Sequence, residues 1–417
     1  MSAFSIFASK KRKTQKTVPT VEEYYLRLAR RTMVIKFILI MFLAGFTLFS
    51  FSYYKEELTI ENFRYMLKFI SFDSNAGAVS NATVYIDKDN TSKGDVLRGD
   101  LAVINTSGFS IYGFNGSKVY THSCKYNTPI MVSNTKNIIA CDLGGYEVQI
   151  FSCNQFVDKM TYKYPVLGLA ASESGHFAVI SSEKSYRSAL FVYDEYFRVI
   201  YKYLSGDKYI DFVSISADGK EAVTLLHYSK NGSLITLLMR FSFDSEQPVF
   251  QTEIIDEMPL GVQFMKDNAY CVLTSEAIRF FTADNGLIKE RFFEEKSLSG
   301  YEFNRNYAII SYDTSGLASG TDIEVFKDNG SLALSKSFAG SLLDKKANGD
   351  RLYVLMHGAI VTIDLTGKEP ERTDPVDTDF KQILFNDQQV VLLSDSRAVF
   401  FNPGASEEND GIPSAGE

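Results

Sequence analysis

Three features of the sequence predict an all-β fold carried behind a single membrane helix. Val34 to Tyr53 form an apolar stretch of 20 residues whose one charge, Lys36, lies at its edge. From residue 96 onward, a block of strand-forming residues recurs eight times at a mean spacing of about 41. Asn-Gly, Asp-Gly and Gly-Asp pairs separate the apolar runs inside that region.

The apolar stretch comes first. At about 1.5 Å per residue, 20 helical residues match the roughly 30 Å hydrocarbon thickness of a bilayer. Eight Lys and Arg side chains stand in residues 1–33, including Lys10, Lys11, Arg12 and Lys13, against Glu22 and Glu23. Only Lys55, Arg64 and Lys68 follow within residues 54–73. Positive charge stays on the cytoplasmic side, so this asymmetry predicts a cytoplasmic segment 1–33, a span 34–53 and a domain outside the cytoplasm. A cleaved signal peptide would use Ser50-Phe51-Ser52 as its small-residue site, but a 33-residue leader and so long an apolar run disfavour it. The basic run 10–13 beside a span fits anionic lipid, making the bilayer the first expected partner.

Residues 54–78 are predicted to be an amphipathic helical linker. Phe63, Met66, Leu67 and Ile70 fall on one helical face, and Thr59 suits an N-cap.

The repeat is clearest in one element: FSIYGFNG (109–116), EVQIFSCN (147–154), ALFVYDEY (189–196), LLMRFSFD (237–244), AIRFFTAD (277–284), DIEVFKDN (322–329), AIVTIDLT (359–366) and RAVFFNPG (397–404). With Tyr112, Phe151, Tyr193, Phe241, Phe281, Phe326, Ile363 and Phe401 as registers, the spacings are 39, 42, 48, 40, 45, 37 and 38. A period near 40 is that of β-propellers, whose blades are four-stranded antiparallel sheets. In the second block PIMVSN, NIIACDL, EVQIFS and DKMTYKY supply four strands. Asn115-Gly116, Asp218-Gly219, Asn231-Gly232, Asn285-Gly286, Asn329-Gly330 and Gly349-Asp350 provide turns that tolerate positive φ. The eighth block stops after three strands, and ATVYID (82–87) is the candidate to complete it. Eight blades are favoured over seven, within a propeller domain of 79–403. The acidic residues 404–417 are expected to be a disordered tail.

The segments LTIENF (58–63), GDLAVINTSGFSIYGFNG (99–116) and CDLGGYEVQIF (141–151), in this order behind a basic N-terminus and one span, resemble an uncharacterised family of membrane-anchored propeller proteins from Gram-positive bacteria. The repeats are similar to WD40-like and quinoprotein-like blades. They depart from WD40 proper in lacking its Trp-Asp signature and in holding a single Gly-His pair, Gly175-His176, rather than one per repeat. They depart from quinone-cofactor propellers in having no Trp at all. The resemblance brings no activity, cofactor or site residue.

Charge and motifs narrow the function. Subtracting the +7 of residues 1–36 from the overall −8 leaves −15 on the remainder. So acidic a body disfavours nucleic acid, whose phosphates are held by Lys and Arg. Cys124, Cys141, Cys153 and Cys271 sit singly in apolar runs and read as buried thiols. His122, His176, His227 and His357 fall in four different blocks, without metal-ligand spacing. No nucleophile elbow, HExxH, P-loop or EF-hand occurs. Catalytic, cofactor and metal residues are therefore all read as none. The one long connection within a blade, Asp313 to Thr321, reads as a flexible loop.

The expected function is a non-catalytic scaffold that binds a protein or cell-envelope partner. The alternative is an enzyme or small-ligand sensor built on a central channel, where residues scattered over many blades leave no local motif.

Overall fold

The computed structural model describes residues 21–53, 83–113, 116–294, 296–314, 320–386 and 389–401. The predicted linker helix, the acidic tail and most of the basic segment lie outside them.

The chain divides into two compact units, 1–77 and 78–417. In the first, α1 runs from Val21 to Tyr53. It begins ahead of the predicted span 34–53 and so takes in part of the basic segment. Within it Leu28–Phe49, 22 residues, is long and apolar enough to cross a membrane.

The second unit is a ring of eight four-stranded antiparallel sheets. Blades 1 to 7 span 93–123, 129–161, 166–205, 209–255, 259–292, 297–339 and 342–375, each a simple meander. Blade 8 takes three strands from 380–401 and its outermost from Thr83–Tyr85. Thr83 pairs with Val399, Val84 with Ala398 and Tyr85 with Arg397. The candidate closing strand thus closes the ring. All eight register residues fall on third strands.

Sequence pattern follows strand position. Second and third strands are covered on both sides by neighbouring blades and read as continuous apolar runs. In Tyr270–Thr274 every residue is buried. Outermost strands face solvent on one side and alternate, as Phe250–Ile255 does. The register residue lies opposite the start of the second strand, and in blades 3 and 5 two rings stack there. Phe177 and Tyr193 are 4.8 Å apart, Tyr270 and Phe281 5.0 Å. The apolar clusters then cross from blade to blade: Ala178, Leu190 and Val192 of blade 3 pack with Leu226, Met239 and Phe241 of blade 4.

The Asn231-Gly232 turn has φ of 55° and 88° and joins Lys230 to Ser233 as a two-residue hairpin. The connection after Asp313 is shorter than the sequence reading had it. Asp313 pairs with Thr321 and Thr314 with Gly320, and the outermost strand follows them, pairing Phe338 with Thr321 and Ala339 with Gly320.

One irregularity recurs. In blades 3 to 8 the innermost strand carries a register shift near its start, at Leu167, Asp211, Leu260, Ser299, Leu343 and Lys381. One extra residue at this point bends the strand and re-aims those that follow.

Candidate functional site

Because every blade is a meander, strand direction fixes two faces. The inter-blade connections and the hairpins between second and third strands share one end of the ring, the upper face. The remaining turns share the lower face.

The innermost strands surround the ring axis. A cavity of about 380 Å³ lies there, touched by Asp95, Met131, Leu169, Val213, Ser214 and Gln263 from five successive blades. The bulges set a common register beyond them. Counting from the bulge residue, Ala170, Ser214, Gln263, Glu302 and Lys346 occupy the same position in blades 3 to 7. Glu302 and Lys346 thus stand, on the innermost strands of blades 6 and 7, in register with Ser214 and Gln263 of the cavity wall.

Side chains tie the layer together. Ser214 Oγ accepts the backbone N–H of Phe264 at 2.9 Å, and Asp344 Oδ2 accepts that of Ile383 at 2.7 Å. Gln382 spans the blade 8–blade 1 seam, accepting from Gly94 N at 3.0 Å and donating to Gly94 O at 3.2 Å. Gly94 keeps this seam open, since a Cβ there would stand 2.6 Å from Leu384 Cδ1 and 2.7 Å from Leu393 Cδ2.

Four charged residues of the innermost strands of blades 6 and 7, Glu302, Asp344, Lys345 and Lys346, are half-buried. Burial pushes the Glu302 carboxyl up, against Lys346 and Lys345 and with Asp344. Burial likewise raises Asp344, against Lys346 and the Ile383 amide. It lowers Lys345, against Asp344 and Glu302. Among the described residues no hydrogen bond or ion pair reaches the charged ends of Glu302, Lys345 or Lys346.

The two mouths differ. At the lower one, Arg305 Nη1 of blade 6 meets Glu173 Oε2 of blade 3 at 2.6 Å. Two blades stand between them, so the pair crosses the opening as a chord. At the upper mouth Leu167, Leu343, Ser299 and Lys381 are exposed. Beside them His227 Nδ1 and Asp211 Oδ2 are hydrogen-bonded at 2.6 Å, Tyr209 stacks on His227 at 5.1 Å, and Arg187 covers Tyr209.

The upper face also carries exposed apolar side chains on consecutive blades: Leu143, Tyr146, Leu167, Tyr186, Tyr209 and Met258. Among the described residues the lower-face turns expose one large ring, Tyr196. The other exposed apolar residues of the ring sit mostly on outermost strands, such as Val119, Val157, Val199 and Leu332.

Residues singled out in the sequence do not converge. His122 stacks on Phe156, His176 bonds Ser174, and His357 lies in the upper hairpin of blade 7. The four cysteines are free thiols, with Cys141 and Cys271 each pushed up to about 12 by burial. Among the described residues no group of three His, Cys, Asp or Glu is placed to hold a metal. A concavity of about 440 Å³ on blade 7 is lined by Arg351 and Glu369, which already pair with each other at 2.7 Å. The common position of Glu302 and Lys346 escaped sequence reading, because it is counted from bulges that the sequence does not mark.

The fold and channel define an eight-bladed propeller with a polar axial cavity, and residues 76–399 match one family model. The chain belongs to DUF5711, a family of unknown function. No curated protein matches it. Among solved structures it is similar to Sqt1 of Saccharomyces cerevisiae, at 11% identity over 78% of this chain and 99% of that one, TM-score 0.56. It is similar to the Dos1 propeller, at 10% identity over 78% and 94%, TM-score 0.53. A third likeness is to quinohemoprotein alcohol dehydrogenase ADHIIG from Pseudomonas putida HK5, at 8% identity over 81% and 78%, TM-score 0.52. At these identities the likeness is one of fold.

Proposed function

We propose that this chain is a membrane-anchored scaffold whose propeller docks a protein partner outside the cytoplasm through its upper face. In this reading α1 crosses the bilayer once, with residues 1–33 on the cytoplasmic side, and the role is binding rather than catalysis. One observation carries it: the six exposed side chains Leu143, Tyr146, Leu167, Tyr186, Tyr209 and Met258 gather on one face of blades 2 to 5 and its connections. Tyr and aliphatic side chains on rigid hairpins are what the buried centre of a protein interface uses. Contiguous exposed apolar surface marks such sites. The basic flank of α1 supports the orientation.

Photo-crosslinking amino acids at Tyr146, Tyr186 and Tyr209, compared with Lys220 and Lys368 on the opposite face, test the docking surface in intact cells. A discrete protein adduct from the first three alone is the expected result. Adducts only from Lys220 and Lys368, or only to glycan, refute it. For orientation, a membrane-impermeant thiol reagent labels a Lys368→Cys variant in intact cells and spares Lys10→Cys. The reverse pattern refutes the topology.

A further inference from the structure

We infer that the upper face takes an acidic protein segment, one whose Asp and Glu side chains are interspersed with apolar ones. The inference rests on the docking reading of that face and names the chemistry of what docks.

The face is electrostatically divided. Lys125 and Lys163 stand in the connections before and after blade 2, and Lys184 and Arg187 at the upper hairpin of blade 3. All four are exposed, and among the described residues none meets a carboxylate. The carboxylates of the same arc are engaged already. Asp142 accepts the backbone N–H groups of Asn127 and Thr128 at 2.9 and 2.6 Å. Glu147 meets Lys159 at 2.8 Å, Glu183 meets Lys202 at 3.6 Å, and Asp207 meets Lys208 at 2.7 Å. Farther round the ring the sign reverses. Asp256, Glu276 and Glu294, on upper turns from blade 4 to blade 6, are exposed and meet no cation among the described residues. A chain that carries −15 over residues 37–417 thus turns a cationic arc outward beside blades 2 and 3.

Cationic and apolar groups interleave along that arc. In chain order, the exposed Leu143 and Tyr146 fall between Lys125 and Lys163, Leu167 between Lys163 and Lys184, and Tyr186 between Lys184 and Arg187. Complementary charge steers and selects a partner, while apolar side chains supply the buried centre. A purely anionic polymer would leave Leu143, Tyr146 and Leu167 unused. An anionic bilayer fits no better. The hairpin of blade 4 runs three residue pairs past its innermost strand, through Tyr228–Ile235, Ser229–Leu234 and Lys230–Ser233. A flat surface meets its polar tip before Leu167 or Tyr209 at the starts of the innermost strands. A second copy could offer its acidic arc, but there Ser275-Glu276 and Phe293-Glu294 expose no large apolar side chain. A separate segment, acidic and apolar together, matches both halves of the pattern.

A benzophenone amino acid at Tyr186, crosslinked in intact cells and followed by sequencing of the adduct peptide, tests the inference. The expected adduct is a segment of another protein with more Asp and Glu than Lys and Arg, and with apolar residues among them. Joint reversal of the arc (Lys125→Glu, Lys163→Glu, Lys184→Glu, Arg187→Glu) lowers adduct yield about tenfold or more. The matched reversal of Lys220, Lys266, Lys327 and Lys368 on the lower face leaves it within about twofold. A synthetic copy of the adduct peptide binds the full chain in lipid nanodiscs about tenfold more weakly when salt rises from about 50 to about 300 mM. An unchanged unfolding midpoint shows that the reversed chain is folded; if it falls, Lys163→Glu with Lys184→Glu alone carries the test, with a loss of about threefold or more expected. A protein adduct that survives reversal, that lacks an acidic excess, or that is a second copy of this chain overturns the inference and leaves the docking reading standing. No protein adduct from the wild-type arc overturns both.

Discussion

Arg305 and Glu173 lie in turns of blades 6 and 3, yet their side chains meet at 2.6 Å across the lower mouth of the channel. Both are solvent-exposed, so the pair adds less than about 1 kcal/mol to stability. Its effect is to bar the opening. Arg305→Ala should leave the unfolding midpoint nearly unchanged while speeding maleimide labelling of an Ala171→Cys probe on the channel wall. Equal labelling rates with and without Arg305 would show that the chord bars nothing.

Glu302 gives the fold a pH-dependent weakness. Its carboxyl is raised in the folded chain, chiefly by burial. A carboxylate raised on folding destabilises the native state above its folded pKa, and that penalty disappears as pH falls below the unfolded value. Glu302→Gln should therefore be more stable than the wild type at pH 7, with the gain shrinking as pH approaches the ordinary 4.5. Denaturation at pH 7 and pH 4 measures it, and a gain independent of pH assigns the effect elsewhere.

A buried ion-pair network has the opposite sign. Arg279 is 8% exposed and bonds Glu257 at 2.6 and 2.7 Å and Glu290 at 2.5 Å. Burial works against the Glu257 carboxylate, but the bonds from Arg279 and Thr274 outweigh it and hold its pKa low. Its stabilisation is present above the ordinary glutamate range and is lost as pH falls through the depressed value. Arg279→Met should cost about 3–5 kcal/mol by stranding Glu257. Adding Glu257→Gln should recover part of that loss in chemical denaturation. A double variant no better than the single one would show that packing, not charge, is at stake.

The clasp strand is testable through adjacent residues of opposite exposure. Val84 is fully buried among Leu101, Val103, Leu393 and Phe400, whereas Tyr85 is 77% exposed. Val84→Asp should cost more than about 3 kcal/mol by burying a carboxylate. Tyr85→Lys should stay within about 0.5 kcal/mol. Similar midpoints for the two would place the strand outside the cooperative ring.

Gly108 opens the third strand of blade 1 at the upper hairpin, with φ of 141°. A Cβ there would stand 2.2 Å from the carbonyl oxygen of His122. Backbone cannot yield as a side chain can, so Gly108→Ala should cost about 2 kcal/mol or more. Gly144, with open space around it, is the control for positive φ alone.

Fold and site were unequally legible in the sequence. Tyr112, Phe151 and the other register residues mark third strands because a large apolar residue, aromatic in every blade but the seventh, recurs near the end of each. ATVYID could be read as the missing strand because the last block visibly lacked one. Glu302 and Lys346 were hidden for the same structural reason. A propeller channel draws one or two residues from each blade, so its chemistry is spread at intervals of about 40. The bulge was hidden because one extra residue in an apolar run leaves no gap. Asp313–Thr321 misled because Gly and Ser mark a turn without showing how far the flanking ladder reaches.

The Thr83–Val399 pairing also sets an order of events during synthesis. The strand that completes blade 8 leaves the ribosome first among those of the ring, and its partner last. Until the final segment emerges, blade 8 does not exist and the seam faces of blades 1 and 7 remain uncovered. Closure is thus a late, long-range step, and the growing chain must be kept from aggregating while these apolar faces wait.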